Sequence, residues 1–313
     1  MNYHLGRILQ YCFGLEVWAV SQVGETAELA RQANIYPYDF SMPSISLADL
    51  AVHAGPDDIL IACDMGSSFL LGWNFPGVKI SYAQSLLSLE VLDMCFDHYI
   101  SASDIIARNL KEVYGVYSPI VAPFINFDNL PLAPDWQSRP ANTILPYRKG
   151  TRGKIAFWDA SYERIRAAVE ARLPSVKFLD PIFSGSLKTQ SEILRDISTS
   201  RYVLMLTEME GFGLIPLEAM AMGTIPVGYD GFGGKHYMQP GVNCATVPYA
   251  QWEAVVDSIV QLVQDDVHGR FMSERGKSTA REFGYPAFEA AWIREFSRIL
   301  NLPVVGNIGV PYR

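Results

Sequence analysis

Short apolar runs separated by longer stretches of helical spacing dominate this chain. LEVWAVS (15–21), DDILIAC (57–63), VKISYA (78–83), HYISAS (98–103) and PIVAPF (119–124) are apolar over continuous stretches instead of alternating with polar residues. That pattern predicts strands covered on both faces, as in a parallel sheet. Segments 2–11, 26–32 and 103–114 carry apolar residues at helical spacing, and Ser103 stands where an N-cap would. The series reads as repeated βα units.

Residues 126–142, NFDNLPLAPDWQSRPAN, interrupt the pattern with three prolines and little periodicity, which predicts a linker. Beyond it the alternation resumes, with strands predicted at NTILPY (142–147), GKIAFW (153–158), VKFLD (176–180), RYVLMLT (201–207), TIPVGY (224–229) and NCATVP (243–248). Helices are predicted over 162–172, 188–198, 216–221 and 251–264. A last amphipathic helix is expected at 286–300, where Phe288, Trp292 and Phe296 recur at four-residue spacing. The expectation is two α/β domains, 1–130 and 131–285, followed by a helix and tail over 286–313.

A chain of 313 residues accommodates two cores of this size. Its formal net charge of -8 argues against a general nucleic-acid-binding surface, which needs surplus Lys and Arg to displace counterions from phosphates. Cys12, Cys63, Cys95 and Cys244 are far apart and form neither a CxxC pair nor a zinc-like cluster with histidines. They read as free thiols in a reducing compartment. No cationic leader with a long apolar run opens the chain, and no stretch approaches the ~18 uninterrupted apolar residues of a membrane span. The expectation is a cytoplasmic protein with at most peripheral membrane contact.

The chemistry concentrates in LMLTEMEGFGLIPLEAMAMGTIPVGYDGFGG, residues 204–234. A buried strand ends near Thr207, Glu210 precedes a Gly-Phe-Gly turn, and Pro216 opens a helix at a position where its missing N–H costs nothing. Backbone N–H groups from Gly211 to Leu217 then lie at the positive end of a helix, just past the carboxyl end of a strand, and such a place binds anions. Gly211 and Gly213 admit a diphosphate close to the backbone. Glu218 is placed on the helix to accept paired hydrogen bonds from ribose hydroxyls, and Glu210 to meet a sugar beyond the phosphates. An ordinary strand-to-helix loop with acidic capping residues shares the bare Gly-x-Gly spacing.

The fuller run EGFGLIPLEAMAMGTIPV resembles the E-x7-E signature of retaining glycosyltransferases of the GT-B fold, the group usually called family 4. The resemblance implies two Rossmann-like domains facing a cleft, with the C-terminal helix crossing back to the first domain. It implies a UDP- or GDP-linked nucleotide sugar as donor and a saccharide, lipid-linked or small-molecule acceptor. Glu210 becomes the catalytic residue that contacts the donor sugar, Glu218 the ribose ligand, and Gly211, Phe212, Gly213 and Leu214 the phosphate cradle. Arg148 and Lys149, at the end of the ILPY strand, are the expected phosphate partners, with Arg152 and Lys154 close behind. Gly233, between Gly231 and Gly234 in YDGFGG (229–234), falls in the family's glycine-rich loop near the sugar or diphosphate. Lys235, His236 and Tyr237 follow where many relatives carry a Glu.

The same resemblance implies transfer with retention, the departing phosphate taking the acceptor's proton, with no cofactor and no metal; no DxD motif stands out, and Asp57-Asp58 reads as a turn. SASDIIARNLKEVYGVYSPIVAPFIN (101–126) and GRILQYCFGLEVWAV (6–20) resemble the family's first domain less closely. Its first strand and Gly-Gly loop have no counterpart ahead of the first helix, so either the sheet is one strand short or the chain start omits residues. Tyr82, Gln84 and Glu90 stand where relatives place a cleft His, while His53 and His98 read as structural. A degenerate relative that binds nucleotide or a partner without turnover is therefore the alternative reading, and an epimerase on the same fold a further enzyme one.

Overall fold

The computed structural model describes residues 2–21, 43–63, 74–85, 96–148, 155–183 and 189–306. The predicted helix at 26–32 and the residues Glu90, Cys95, Lys149, Arg152 and Lys154 lie outside this set. The chain divides into two compact units, residues 1–123 with 285–313, and residues 124–284.

In the first unit, α1 (Asn2–Phe13), β1 (Ala19–Ser21), β2 (Ser44–Ser46), α2 (Leu47–His53), β3 (Ile59–Cys63), β4 (Val78–Ala83), β5 (His98–Ser101) and α3 (Asp104–Tyr114) follow in order. β3, β4 and β5 form a parallel sheet with Ile61 opposite Ile80 and Ser81 opposite Tyr99. The run at 119–124 does not become a strand: it contributes a single bridge, Ser101 to Ile120. Pro119 and Pro123 lack the N–H that a ladder needs. Ser103 occupies the N-cap position of α3 with extended backbone, but its side chain makes no capping bond.

The second unit runs β6 (Thr143–Arg148), α4 (Ile155–Arg172), β7 (Lys177–Phe178), β8 (Ile182–Phe183), α5 (Gln190–Ser198), β9 (Tyr202–Met205), α6 (Leu214–Ala221), β10 (Ile225–Tyr229), β11 (Ala245–Val247), α7 (Trp252–Gln264) and α8 (Asp266–Arg281). The sheet is parallel, in the order β11-β10-β9-β6-β7, with β8 also on β6. Continuous apolar strands are required because helices cover both faces. Ile144, Tyr202, Leu204, Ile225 and Val227 meet Ile165 and Val169 of α4 and Val255, Val256 and Ile259 of α7. Leu145, Tyr147, Val203 and Met205 meet Ile193, Leu194 and Ile197 of α5 and Ala219 of α6. From β6 the chain moves outward to β7 and β8, then returns across to β9. The topological switch point therefore lies between β6 and β9, where open α/β sheets bind ligands beyond their carboxyl ends.

Two expectations in this unit are corrected. GKIAFW was expected as a strand, yet α4 begins at Ile155 and runs through it. A four-residue apolar run does not separate a strand from the first turn of a helix. Residues 126–142 are folded onto the unit instead of forming an open linker. Trp136 is buried and stands edge-on to Tyr202 at 6.1 Å. Arg139, 4% exposed, donates to the carbonyls of Pro134 (2.9 Å), Ser200 (3.2 Å) and Met222 (2.6 Å) and to the Thr224 hydroxyl (3.2 Å).

The final helix α9 (Tyr285–Leu300) belongs to the first unit, as expected for a helix that crosses back. Its Phe288, Trp292 and Phe296 are buried; Phe296 meets Phe13 at 6.1 Å and Trp292 meets Tyr82 at 5.0 Å, both edge-on. Burial of each such ring contributes roughly 1.5–3 kcal/mol. Among the described residues, no helix is long and apolar enough to cross a membrane.

Candidate functional site

β6 and β9 pair with Tyr147 opposite Met205, so Arg148 ends β6 beside the segment that leaves β9. That segment runs through Glu210 to the start of α6. The Glu210 N–H donates to the Gly231 carbonyl (2.8 Å), and the Gly233 N–H donates to the Glu210 carbonyl (3.1 Å). The loop after β9 and the loop after β10 are thereby stitched together, with Glu210 bridged to Phe232. Only glycine fits at 233: a Cβ there would lie 2.5 Å from the Glu210 carbonyl oxygen and 2.6 Å from that of Gly211. Gly233 thus builds the site by letting two backbones touch.

Phe232 sits at φ 62 and ψ -54, with the Gly233 N–H closing onto the Gly231 carbonyl at 2.8 Å. This is a γ-turn of the rare positive-φ kind, and a non-glycine residue there costs roughly 1–3 kcal/mol. Its neighbours hold it in place. The Phe232 N–H donates to Asp230 Oδ1 (2.9 Å), Lys235 Nζ lies 5.2 Å from the ring centre, and Lys235 pairs with Asp230 at 3.7 Å. Strain is therefore stored at the residue paired with Glu210.

Gly213 caps α6 at φ 85 and ψ 79, left-handed backbone that glycine adopts without penalty. The buried Tyr237 hydroxyl donates to the Gly213 carbonyl, and burial pushes the Tyr237 phenol well above its usual range. Phe212 turns its ring inward, 5.3 Å from Tyr237, 5.7 Å from His236 and 5.7 Å from Phe283, so its contribution to a ligand is limited to its backbone. The helix begins at Leu214, two residues before the expected start, which places Pro216 third. The first four N–H groups of a helix have no partner within it, so proline is tolerated there, and the amides of Leu214, Ile215 and Leu217 head the helix. That end carries partial positive charge.

Glu218 lies one turn further on, 7% exposed. Gln190 Nε2, from the first residue of α5, donates to Glu218 Oε1 at 3.1 Å, while among the described residues Oε2 is buried without a partner. Burial raises the carboxyl to about 7, opposed in part by the Gln190 hydrogen bond. A buried acid with one bonded and one vacant oxygen, on the helix whose start faces the switch point, is equipped to accept hydrogen bonds from hydroxyls.

Glu210, Gly211, Phe212, Gly213, Leu214, Glu218 and Gly233 thus fall in one connected piece of structure, with Arg148 at the end of the adjacent strand. Lys149 is outside the described residues. Tyr82 is fully buried, donates to the Val121 carbonyl (2.8 Å) and packs on Trp292. The sequence reading missed Gln190, which carries no local motif and meets Glu218 only through helix packing. It named Tyr237 only as a departure from the family pattern.

Residues 181–279, from β8 through most of α8, match the family model described as Glycosyl transferases group 1. The chain is 30% identical over 129 residues to a putative glycosyltransferase, ORF330, of Acidianus filamentous virus 2, covering 38% of each chain. It is 32% identical over 101 residues to the N-acetyl-alpha-D-glucosaminyl L-malate synthase of Bacillus anthracis, covering 32% of this chain and 26% of the other. The chain thus spans well under half the length of these relatives. The crystal structure of Anabaena Alr3699/HepE in complex with UDP shares the fold at a TM-score of 0.64 and 11% identity, over 91% of this chain and 100% of that one. The α/β fold is that of GT-B glycosyltransferases, as expected.

Proposed function

We propose that the protein transfers a sugar from a UDP- or GDP-linked donor to a saccharide, lipid-linked or small-molecule acceptor, with retention and without a metal. The observation that carries this reading is Glu218: a buried carboxyl with a vacant oxygen, on the helix whose amides face the sheet's switch point. The ribose diol bonds to Glu218, the diphosphate lies over the α6 start with Arg148 and Lys149 as counter-charges, and the sugar reaches Glu210. The UDP of the Anabaena structure supports a nucleoside diphosphate, and the name of the malate synthase supports a hexosyl group.

In the reaction the bond between the anomeric carbon and the phosphate oxygen breaks and a bond to the acceptor oxygen forms. The acceptor's proton passes to the departing phosphate. Charge grows on that phosphate in the transition state, so preorganised amides and the Arg148 guanidinium lower the barrier more than they strengthen ground-state binding.

The test is to incubate the protein with UDP- and GDP-sugars and follow free nucleoside diphosphate and glycosylated product. Release that depends on both Glu210 and Glu218 supports the reading. Nucleotide binding with no turnover of any donor would favour a nucleotide-binding relative that has lost catalysis.

A further inference from the structure

We propose that Gln190 is a positioning residue for the donor: its amide holds Oε1 of Glu218 so that Oε2 is presented to a ribose hydroxyl. The inference rests on the nucleotide-sugar reading above and adds a residue to it from a different element.

The start of α5 is built to hold Gln190 still. Thr189 caps the helix, its hydroxyl accepting from the Glu192 N–H (3.3 Å), while Glu192 Oε2 accepts from the Thr189 N–H (2.7 Å) and hydroxyl (2.9 Å). This reciprocal box fixes the first turn. Gln190 is the next residue, and Ile193, Leu194 and Ile197 anchor the same helix in the core shared with α6. The amide therefore reaches Glu218 from a rigid support, and 3.1 Å is an ordinary hydrogen bond. A carboxyl buried to this extent without such a donor would have no preferred oxygen to offer.

The neutrality of the amide matters as much as its reach. A Lys or Arg in its place would hold Glu218 as a carboxylate and compete for both oxygens. Gln190 from α5 hydrogen-bonds Glu218, while the Tyr237 phenol, from the turn after β10, is raised well above its usual range, first by burial and then by the nearby Glu210, Cys244 and Glu218 groups, so it stays uncharged near neutral pH. Burial raises the Glu218 carboxyl to about 7, and hydroxyl groups donating to it favour the carboxylate. Gln190 thereby fixes which oxygen receives the ligand.

The experiment titrates UDP, GDP and their 2′-deoxy counterparts into the wild-type chain, Gln190→Ala, Gln190→Glu and Glu218→Ala, by calorimetry in buffers of low and high ionisation enthalpy. A net hydrogen bond of about 1 kcal/mol corresponds to about fivefold in affinity. Gln190→Ala is expected to weaken the ribonucleotide by about that factor and the deoxynucleotide much less. Gln190→Glu, of equal shape, is expected to weaken binding more at pH 8 than at pH 6, because two carboxyls then repel, and it gives the reading alone should Gln190→Ala fail to fold. Equal loss for ribo- and deoxyribonucleotide, or no loss, overturns the proposal. Where Glu218→Ala weakens ribonucleotide binding and Gln190→Ala does not, only this inference falls. Where the wild type binds neither nucleotide, the donor reading falls and takes it along.

Discussion

Gly233 and Glu210 approach so closely that a β-carbon on Gly233 would stand 2.5 Å from the Glu210 carbonyl oxygen. The obstacle is backbone on both sides, so neither partner can rotate away. Gly233→Ala is therefore expected to part the two loops and move Glu210. Affinity for the nucleotide-sugar donor should fall by more than about tenfold, or 1.4 kcal/mol, while thermal unfolding shows a smaller effect because the sheet is untouched. Titration and melting of the same preparation check this.

Glu218 makes stability depend on pH in a definite direction. Its carboxyl is raised from 4.5 to about 7 in the folded chain. Below the lower value both states are protonated and no penalty exists. Between the two values the unfolded chain ionises first, so stability falls as pH rises, and the loss is complete above the folded value. Glu218→Gln removes this term. It should match the wild type near pH 4.5 and exceed it by roughly 3 kcal/mol at pH 8, the size of a shift of this order. Denaturant unfolding at several pH values reads the difference directly.

Tyr237 ties the α6 cap to the loop that follows β10, through its hydroxyl on the Gly213 carbonyl. Tyr237→Phe keeps the ring packing on Phe212 and Phe283 and deletes one buried bond. A loss of about 1 kcal/mol in stability is expected. Donor affinity should drop severalfold as the cap gains freedom, which a titration against Tyr237→Phe would register.

Arg139 ties the 126–142 segment to the rest of the second unit by three donated hydrogen bonds, to Ser200, Thr224 and Met222, and donates a fourth to Pro134 within the segment. Its pKa lies below the usual arginine range, first through burial and then through the like charge of Arg201. Arg139→Met leaves several buried acceptors unsatisfied and should cost about 3 kcal/mol or more in equilibrium unfolding. An exposed neighbour such as Leu132, substituted by Ser, should leave the midpoint unchanged.

Much of the second unit was legible because its strands are apolar on both faces and its turns are rich in glycine and proline. The 204–234 run announced a strand, a turn and a helix in the right order, with Glu210 in the turn and Glu218 on the helix. The errors fall where local pattern and tertiary packing disagree. GKIAFW is apolar enough for a strand, but as the opening of an 18-residue helix it leads into Tyr162, Ile165 and Val169, which face the core. α8 went unread because DVHGRFMSERGKSTAR is polar and contains Gly269 and Gly276, yet those glycines seat it against Trp136 and Met220. Trp136 and Arg139 looked like linker residues because their partners, Tyr202, Ser200 and Met222, are more than sixty residues away in the chain. The contact between Gln190 and Glu218, 28 residues apart, escaped for the same reason.

The most direct test of the donor site is calorimetric titration of UDP and GDP, and of their sugar conjugates, against the wild type, Glu210→Ala and Glu218→Ala. Glu218→Ala should weaken nucleoside diphosphate and nucleotide sugar alike, by about tenfold or more for lost bonds to a buried acid. Glu210→Ala should weaken the sugar conjugate and spare the free diphosphate. Wild-type binding that neither substitution alters, or no binding at all, would contradict a donor site built on these two carboxyl groups.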